Sequence, residues 1–200
     1  MWHGFSHVEF LVWSDGDKMD LITFVQTVNK LKEVKRTGWT RYNLADVESV
    51  ADHSFGVALL AISIPTPSGV DRDLLIKMAV LHDFAESGVG DIVVDRGEKT
   101  DEDGKKVKDE LEKAFAEKIF AVHPELRDAF VEYQEQKTPT SHFCKELDKL
   151  EMVFQALHYE KQVANPSTLD EFWENAARYI HSDEVTKIFT DLQKQRTKKV

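Results

Sequence analysis

The chain has 200 residues, 42% of them hydrophobic, and its 26 lysines and arginines against 36 aspartates and glutamates leave a formal charge of −10. That length can bury one globular core, while the acidity disfavours gripping a polyanionic nucleic-acid backbone; a small phosphate ester stays open, because a cation in a pocket reverses the local field. The single cysteine, Cys144, cannot form an internal disulfide, no apolar run could span a bilayer, and residues 1–7 lack a secretion signal. The expectation is a cytoplasmic protein away from membranes, with a nuclear pool left open.

Residues 1–18 do not share the periodicity of the rest of the chain and read as an N-terminal extension, with 19–200 as a single domain. From Asp20, a plausible N-cap, Leu21, Phe24, Val25, Val28, Leu31 and Val34 recur at helical spacing up to Gly38. A second helix opens near Ser49, where Ser49 and Asp52 resemble a capping box, and stops at Pro65. After a Pro65–Gly69 loop, Leu74, Leu75, Met78, Ala79 and Leu81 mark a third helix that frays at Gly88. The charge-dense stretch 98–113 carries a stripe of Val107, Leu111, Ala114, Phe115, Ile119 and Val122, which predicts a helix whose charges face solvent; Lys105, Lys106 and Lys108 could approach a phosphate from it, with a solvated role as their default. Pro124 and Pro139 can each open a helix, the latter bearing Phe143, Leu147, Leu150, Phe154 and Leu157. Two helices close the chain, around Phe172, Ala176 and Ile180 and then Val185, Ile188, Phe189 and Leu192, while Ile92-Val93-Val94 alone suggests a strand. The fold class is all-α.

His82 and Asp83 stand together in the apolar run Met78–Glu86, where two adjacent polar groups are costly to desolvate without a partner. A metal ion is a partner that needs a neutral imidazole and a carboxylate together. His53 on the preceding helix and Asp148 in Lys145–Leu150 complete a set of two imidazoles and two carboxylates, suited to a divalent Mn, Co, Mg, Fe or Zn ion. An ion so held, with positions left open, can acidify a water and polarise a phosphoryl oxygen. Taken singly, His53 reads as a hydrogen-bonded core histidine and Asp148 as a helix-surface carboxylate; the ordered set changes that reading.

The order His53, His82-Asp83, Asp148 resembles the HD-domain superfamily of metal-dependent phosphohydrolases, whose fold is a compact helical bundle. Arg36-Thr37-Gly38-Trp39, Leu81–Glu86, Val89-Gly90-Asp91-Ile92 and Leu147–Met152 carry the likeness further, to the 5'-deoxynucleotidases of the HD-domain-containing protein 2 and YfbR type, over roughly residues 20–195. The resemblance implies hydrolysis of deoxyribonucleoside 5'-monophosphates to deoxyribonucleoside and phosphate with a divalent cation, in a homodimer. It also implies Glu86 as the catalytic glutamate. Glu86 lies four residues after His82 and, on a continuing helix, would share its face; alone it reads as a solvent-facing carboxylate at a helix end. Asp91 matches the aspartate that contacts the deoxyribose, against a turn-forming role. Arg36 and Trp39 match the phosphate-binding arginine and the tryptophan beside C2', but two residues separate them here where the YfbR type has them adjacent. Their plain alternatives are a helix C-terminal cation and a core tryptophan. Two other functions stay open: an HD phosphohydrolase of triphosphate, cyclic or signalling nucleotides, and a non-catalytic nucleotide-binding module.

Overall fold

A computed structural model describes residues 19–97 and 99–197; the extension expected over residues 1–18 lies outside them. Helix α1 (Leu21–Glu33) starts where the Asp20 carboxylate accepts from the Thr23 backbone N–H, and it ends at Val34, whose backbone turns extended. The chain then runs antiparallel to the entry of the next long helix, with a bridge between Lys35 and Ser49 and backbone bonds from Arg36 N to Glu48 O and from Val50 N to Val34 O. The first helix therefore stops before Gly38, and Arg36 caps a separate four-residue helix, α2 (Thr37–Thr40). Helix α3 (Val50–Ser63) opens on the expected Ser49/Asp52 capping box, which satisfies two of the amides that a helix start leaves unpaired.

Helix α4 (Arg72–Leu81) is capped by Asp71. Residues 82–85 then form a tight turn, with bonds from Phe84 N to Leu81 O and from Glu86 N to Asp83 O, before the short α5 (Glu86–Val89). At its end Gly90 takes φ 78°, a backbone geometry that glycine alone adopts without strain. The predicted strand at residues 92–94 does not form. A hairpin of β1 (Asp95–Arg96) and β2 (Lys99–Thr100) follows instead, pairing Asp95 with Thr100.

Helix α6 (Glu102–Ile119) begins at an Asp101 cap, and α7 (Pro124–Glu135) and α8 (Pro139–Tyr159) each place proline where no helical N–H is required. A 3-10 turn leads into α9 (Asp170–Ala177), and α10 (Asp183–Thr197) closes the described residues. The stripe predicted over residues 107–122 holds in part: Ile119 is buried and Phe115 packs against the core, but Val107, Leu111 and Val122 are exposed, and Glu112 and Ala116 join Ile119 on the buried face.

Helix α8 packs against α3, α4, α7, α9 and α10. Two apolar clusters result, one holding Leu75, Met78 and Ala79 with the inner faces of α3, α8, α9 and α10, the other holding Leu81, Phe84 and Ala85 with Leu31, Val50, Ala116, Ile119, Phe120 and Phe130. The His82-Asp83 turn sits where they meet. Helices α5 and α6 approach closely, since a Cβ on Gly88 would overlap the Phe115 ring.

Candidate metal centre and its cleft

Three helices converge their polar residues at this seam. His53 comes from the first turn of α3, His82 from the exit of α4 and Asp148 from mid-α8, and each offers a ligand atom within 4.8 Å of the others. His53 Nε2 lies 3.2 Å from His82 Nε2 and 3.3 Å from Asp148 Oδ1. Asp83 Oδ2 lies 3.3 Å from His82 Nε2 and 3.8 Å from His53 Nε2. The same oxygen accepts from Arg36 Nη1 at 3.0 Å, so Asp83 faces both the cluster and a cation.

The outer nitrogens decide how this cluster is charged. His82 Nδ1 is 3.0 Å from the Ala79 carbonyl oxygen and His53 Nδ1 is 2.5 Å from Glu151 Oε2, contacts that assign the proton of each neutral ring to Nδ1. Two Nε2 lone pairs then face each other beside carboxylate oxygens, an arrangement that repels itself until a cation lies among them. The donor set therefore fits a divalent ion bound by imidazole and carboxylate. Without an ion, a proton takes that place. Burial and Arg36 oppose it, yet Glu151 and Asp148 push the His53 imidazole up to about 10. Against its own burial, Asp148 is held well below the usual carboxylate range by Lys145, Lys149 and His53.

The remaining predicted residues border the same cleft or lie just behind it. Glu86 is fully buried, reached through the 82–85 turn rather than along a continuing helix. Its Oε1 accepts from Lys108 Nζ at 3.0 Å, and its Oε2 is buried with no hydrogen-bond partner among the described residues. Burial, with Asp83 and Asp91 nearby, pushes the Glu86 carboxyl well above its ordinary range, against Lys108 and Arg36. Asp91 is held at the mouth, where Oδ2 accepts from Thr37 N at 2.6 Å, its carbonyl accepts from Thr37 Oγ1 at 2.7 Å, and Oδ1 lies 3.7 Å from Arg36 Nη1. Trp39 is 1% exposed, stacked on Phe172 at 3.7 Å between ring centroids, with its indole N–H donating to Glu48 Oε1 at 2.7 Å. It is a core tryptophan that also lines the cleft.

Several cleft residues escaped the sequence reading. Lys108 does not face solvent: it is held by Glu86 and by Glu112 at 3.4 Å, and Glu112 accepts in turn from Gln134 Nε2 at 2.9 Å. Lys145 Nζ donates to Asp148 Oδ2 at 2.9 Å, and Lys149 lies 3.7 Å from the same oxygen, with burial lowering its ammonium to about 8. Tyr133 Oη donates to Asp148 Oδ2 at 3.1 Å. Asn175 lines the cleft with a buried Nδ2 that has no partner among the described residues. The one usable signal was spacing, since Lys145, Asp148 and Lys149 share one face of α8 and Lys108 and Glu112 one face of α6. Arg36, Arg41, Arg96, Lys108, Lys145 and Lys149 line the cleft opposite Asp83, Asp91, Asp95, Asp148 and Glu171, so its cations offset its carboxylates in an otherwise acidic chain, and a bound divalent ion would tip the balance toward a phosphate dianion.

A family model described as HD domain matches residues 28–188. The chain is 32% identical over 181 residues to 5'-deoxynucleotidase HDDC2 of Danio rerio, which spans 90% of each chain. It is also 32% identical over 180 residues to 5'-deoxynucleotidase YGK1 of Saccharomyces cerevisiae, covering 88% of this chain and 82% of that one. Among solved structures, the PH0347 protein of Pyrococcus horikoshii superposes with a TM-score of 0.69 at 30% identity, covering 86% of this chain and 98% of that one.

Proposed function

Since this chain belongs to the HD domain family, we propose a division of labour among its cleft residues for the reaction it catalyses, the metal-dependent hydrolysis of deoxyribonucleoside 5'-monophosphates to deoxyribonucleoside and phosphate. The observation that carries it is the facing pair of His53 and His82 Nε2 atoms beside Asp148, with Glu86 buried and half-unpaired nearby. His53, His82, Asp83 and Asp148 hold the ion, of the Mn, Co, Mg, Fe or Zn class. When bound, it supplies Lewis acidity, drawing charge from the phosphoryl group and making water more acidic.

The chain's own groups do the rest. Arg36, already charged against Asp83 and Asp91, turns guanidinium N–H groups to the phosphate. Glu86, pushed up by its burial, carries or receives the proton that passes between the attacking water and the leaving 5'-oxygen. Asp91 accepts from the sugar 3'-hydroxyl. Trp39 stands beside C2', and its stacking on Phe172 and bond to Glu48 leave the ring no room to move aside for a ribose 2'-hydroxyl.

The protein works as a cytoplasmic homodimer on this small substrate, with residues 19–200 as one domain and no role for nucleic-acid polymers or membranes. Among the described residues no helix is long and apolar enough to cross a membrane. Support for the dimer comes from Phe55, Leu59 and Ile62, which recur on one face of α3 with 71%, 53% and 53% exposure. Its check is the molar mass in solution.

The deciding experiment is a metal-by-nucleotide matrix on chelated, reconstituted protein. Phosphate release should vanish on chelation, return with a divalent ion, and favour deoxyribonucleotides over the matching ribonucleotides. Equal rates on both sugars would remove the role given to Trp39, and activity surviving chelation would remove the ion from the reaction.

A further inference from the structure

Lys108 is a costly residue to place where it is. Its side chain is 18% exposed and its ammonium lies 3.0 Å from Glu86 Oε1 and 3.4 Å from Glu112 Oε1, carboxylates that are themselves 0% and 4% exposed. A lysine that only solubilised α6 would extend into water, as Lys106 does at 75% exposed. Lys108 is instead delivered inward by one helical face, Lys108, Glu112, Phe115, Ala116 and Ile119, whose apolar end docks into the core while Phe115 closes over Gly88 of α5. Glu112 is fixed from its far side by Gln134 of α7. The ammonium is thus tethered at its back and reaches Glu86 at its front.

The two oxygens of Glu86 differ. Lys108 occupies Oε1, while Oε2 is buried and has no partner among the described residues. A carboxylate free to rotate would exchange them; one gripped at Oε1 keeps Oε2 pointed away from the cation. We propose that Lys108 is a positioning residue, which holds Oε1 of Glu86 so that Oε2 alone is presented to the reacting water and leaving group. This rests on the proton-transfer reading of Glu86. The lysine acts through that carboxylate and makes no bond to the substrate, although it lines the same cleft.

The experiment compares Lys108→Met, Lys108→Arg, Glu86→Gln and the Lys108→Met/Glu86→Gln double variant in reconstituted enzyme, measuring kcat, KM and manganese affinity. Lys108→Met should lower kcat about 100-fold, the scale of a roughly 1 Å misplacement of a reacting group. KM and manganese affinity should move less than about twofold, as expected when only a transition-state interaction is lost. Arginine should restore most of the rate, and the double variant should be no slower than Glu86→Gln alone. A rise in KM with kcat intact overturns the proposal, because Lys108 would then bind phosphate directly. So does a double variant whose losses multiply. Full activity in Glu86→Gln removes the reading of Glu86 itself, whereas a dead Glu86→Gln beside an unimpaired Lys108→Met removes only the role of the lysine. If burial of two uncompensated carboxylates prevents Lys108→Met from folding, the Lys108→Met/Glu112→Gln variant takes its place, since it removes the grip on Oε1 and one of the two carboxylates together; a lowered kcat with KM little changed is the expected result, and a wild-type KM and kcat overturns the proposal.

Discussion

The inner and outer walls of the cleft are built on opposite plans. On the inner wall, His53, His82 and Asp148 project from or end long helices whose other faces lie in the apolar clusters, so packing fixes the ligands. On the outer wall, Arg36, Trp39, Asp91 and Glu86 stand on two four-residue helices and a loop. Hydrogen bonds between neighbouring segments hold most of that wall, Thr37 to Asp91, Arg36 to Asp83 and Lys108 to Glu86, while Trp39 is bonded to Glu48 and also packed in the core on Phe172. A single lost contact should be catastrophic on the packed side and graded on the bonded side.

The sharpest break is on the inner wall. Replacing His82 with Ala should remove ion binding and turnover together, costing at least about 1000-fold in kcat/KM from the loss of Lewis acidity worth several kcal/mol. Retention of manganese by that variant, seen in calorimetry, would take His82 out of the ligand set. One step outward, Glu151→Ala deprives His53 Nδ1 of its acceptor and should weaken manganese binding about 10- to 100-fold. An unchanged affinity would mean that the short contact does not orient the ring.

The same wall carries a sign for pH. His53 is pushed up to about 10 without an ion, so below that value the ion must displace its proton, and affinity should rise as pH rises. For one proton released, manganese affinity gains about tenfold per unit between about pH 6 and 9. A flat profile over that range would show that His53 enters the competition already neutral. The smallest effect belongs to the outer wall. Thr37→Val removes one hydroxyl donor from the Asp91 carbonyl, a net loss of about 0.5–1.5 kcal/mol. KM should rise about 2- to 10-fold with manganese affinity untouched; weakened ion binding would mean that the two walls are not separate.

This contrast also explains what could be read from residues alone. The long helices announced themselves through apolar spacing and through Asp20, Ser49, Pro124 and Pro139, and the inner-wall ligands interrupt or border those stripes. The outer wall has too few residues per element for any period to show. The first helix ended early because Val34 and Lys35 pair across to Ser49 and Val50, a contact invisible in local sequence. The turn at residues 82–85 stands in place of a continuing helix where the chain passes from the cluster that holds Met78 to the one that holds Phe84, a tertiary setting likewise absent from local sequence. On α6 the apolar pattern was right at Phe115 and Ile119 but not in the first turns, where Val107 and Leu111 are exposed while Lys108 turns inward to Glu86 and Glu112 turns inward to hold Lys108. Lys145 and Lys149 bracket Asp148 in plain view, yet only the fold shows their ammonium groups converging on one of its oxygens.

The crowding of Gly88 against Phe115 constrains how this sequence can vary. A methyl group at position 88 would overlap the phenyl ring of Phe115 where it now stands, so substitutions at the two positions should be coupled. Alanine at 88 should be accepted only by a chain that has already traded Phe115 for a smaller residue. A lineage making that exchange would have to shrink the ring first, and would carry a small void over α5 in the interval.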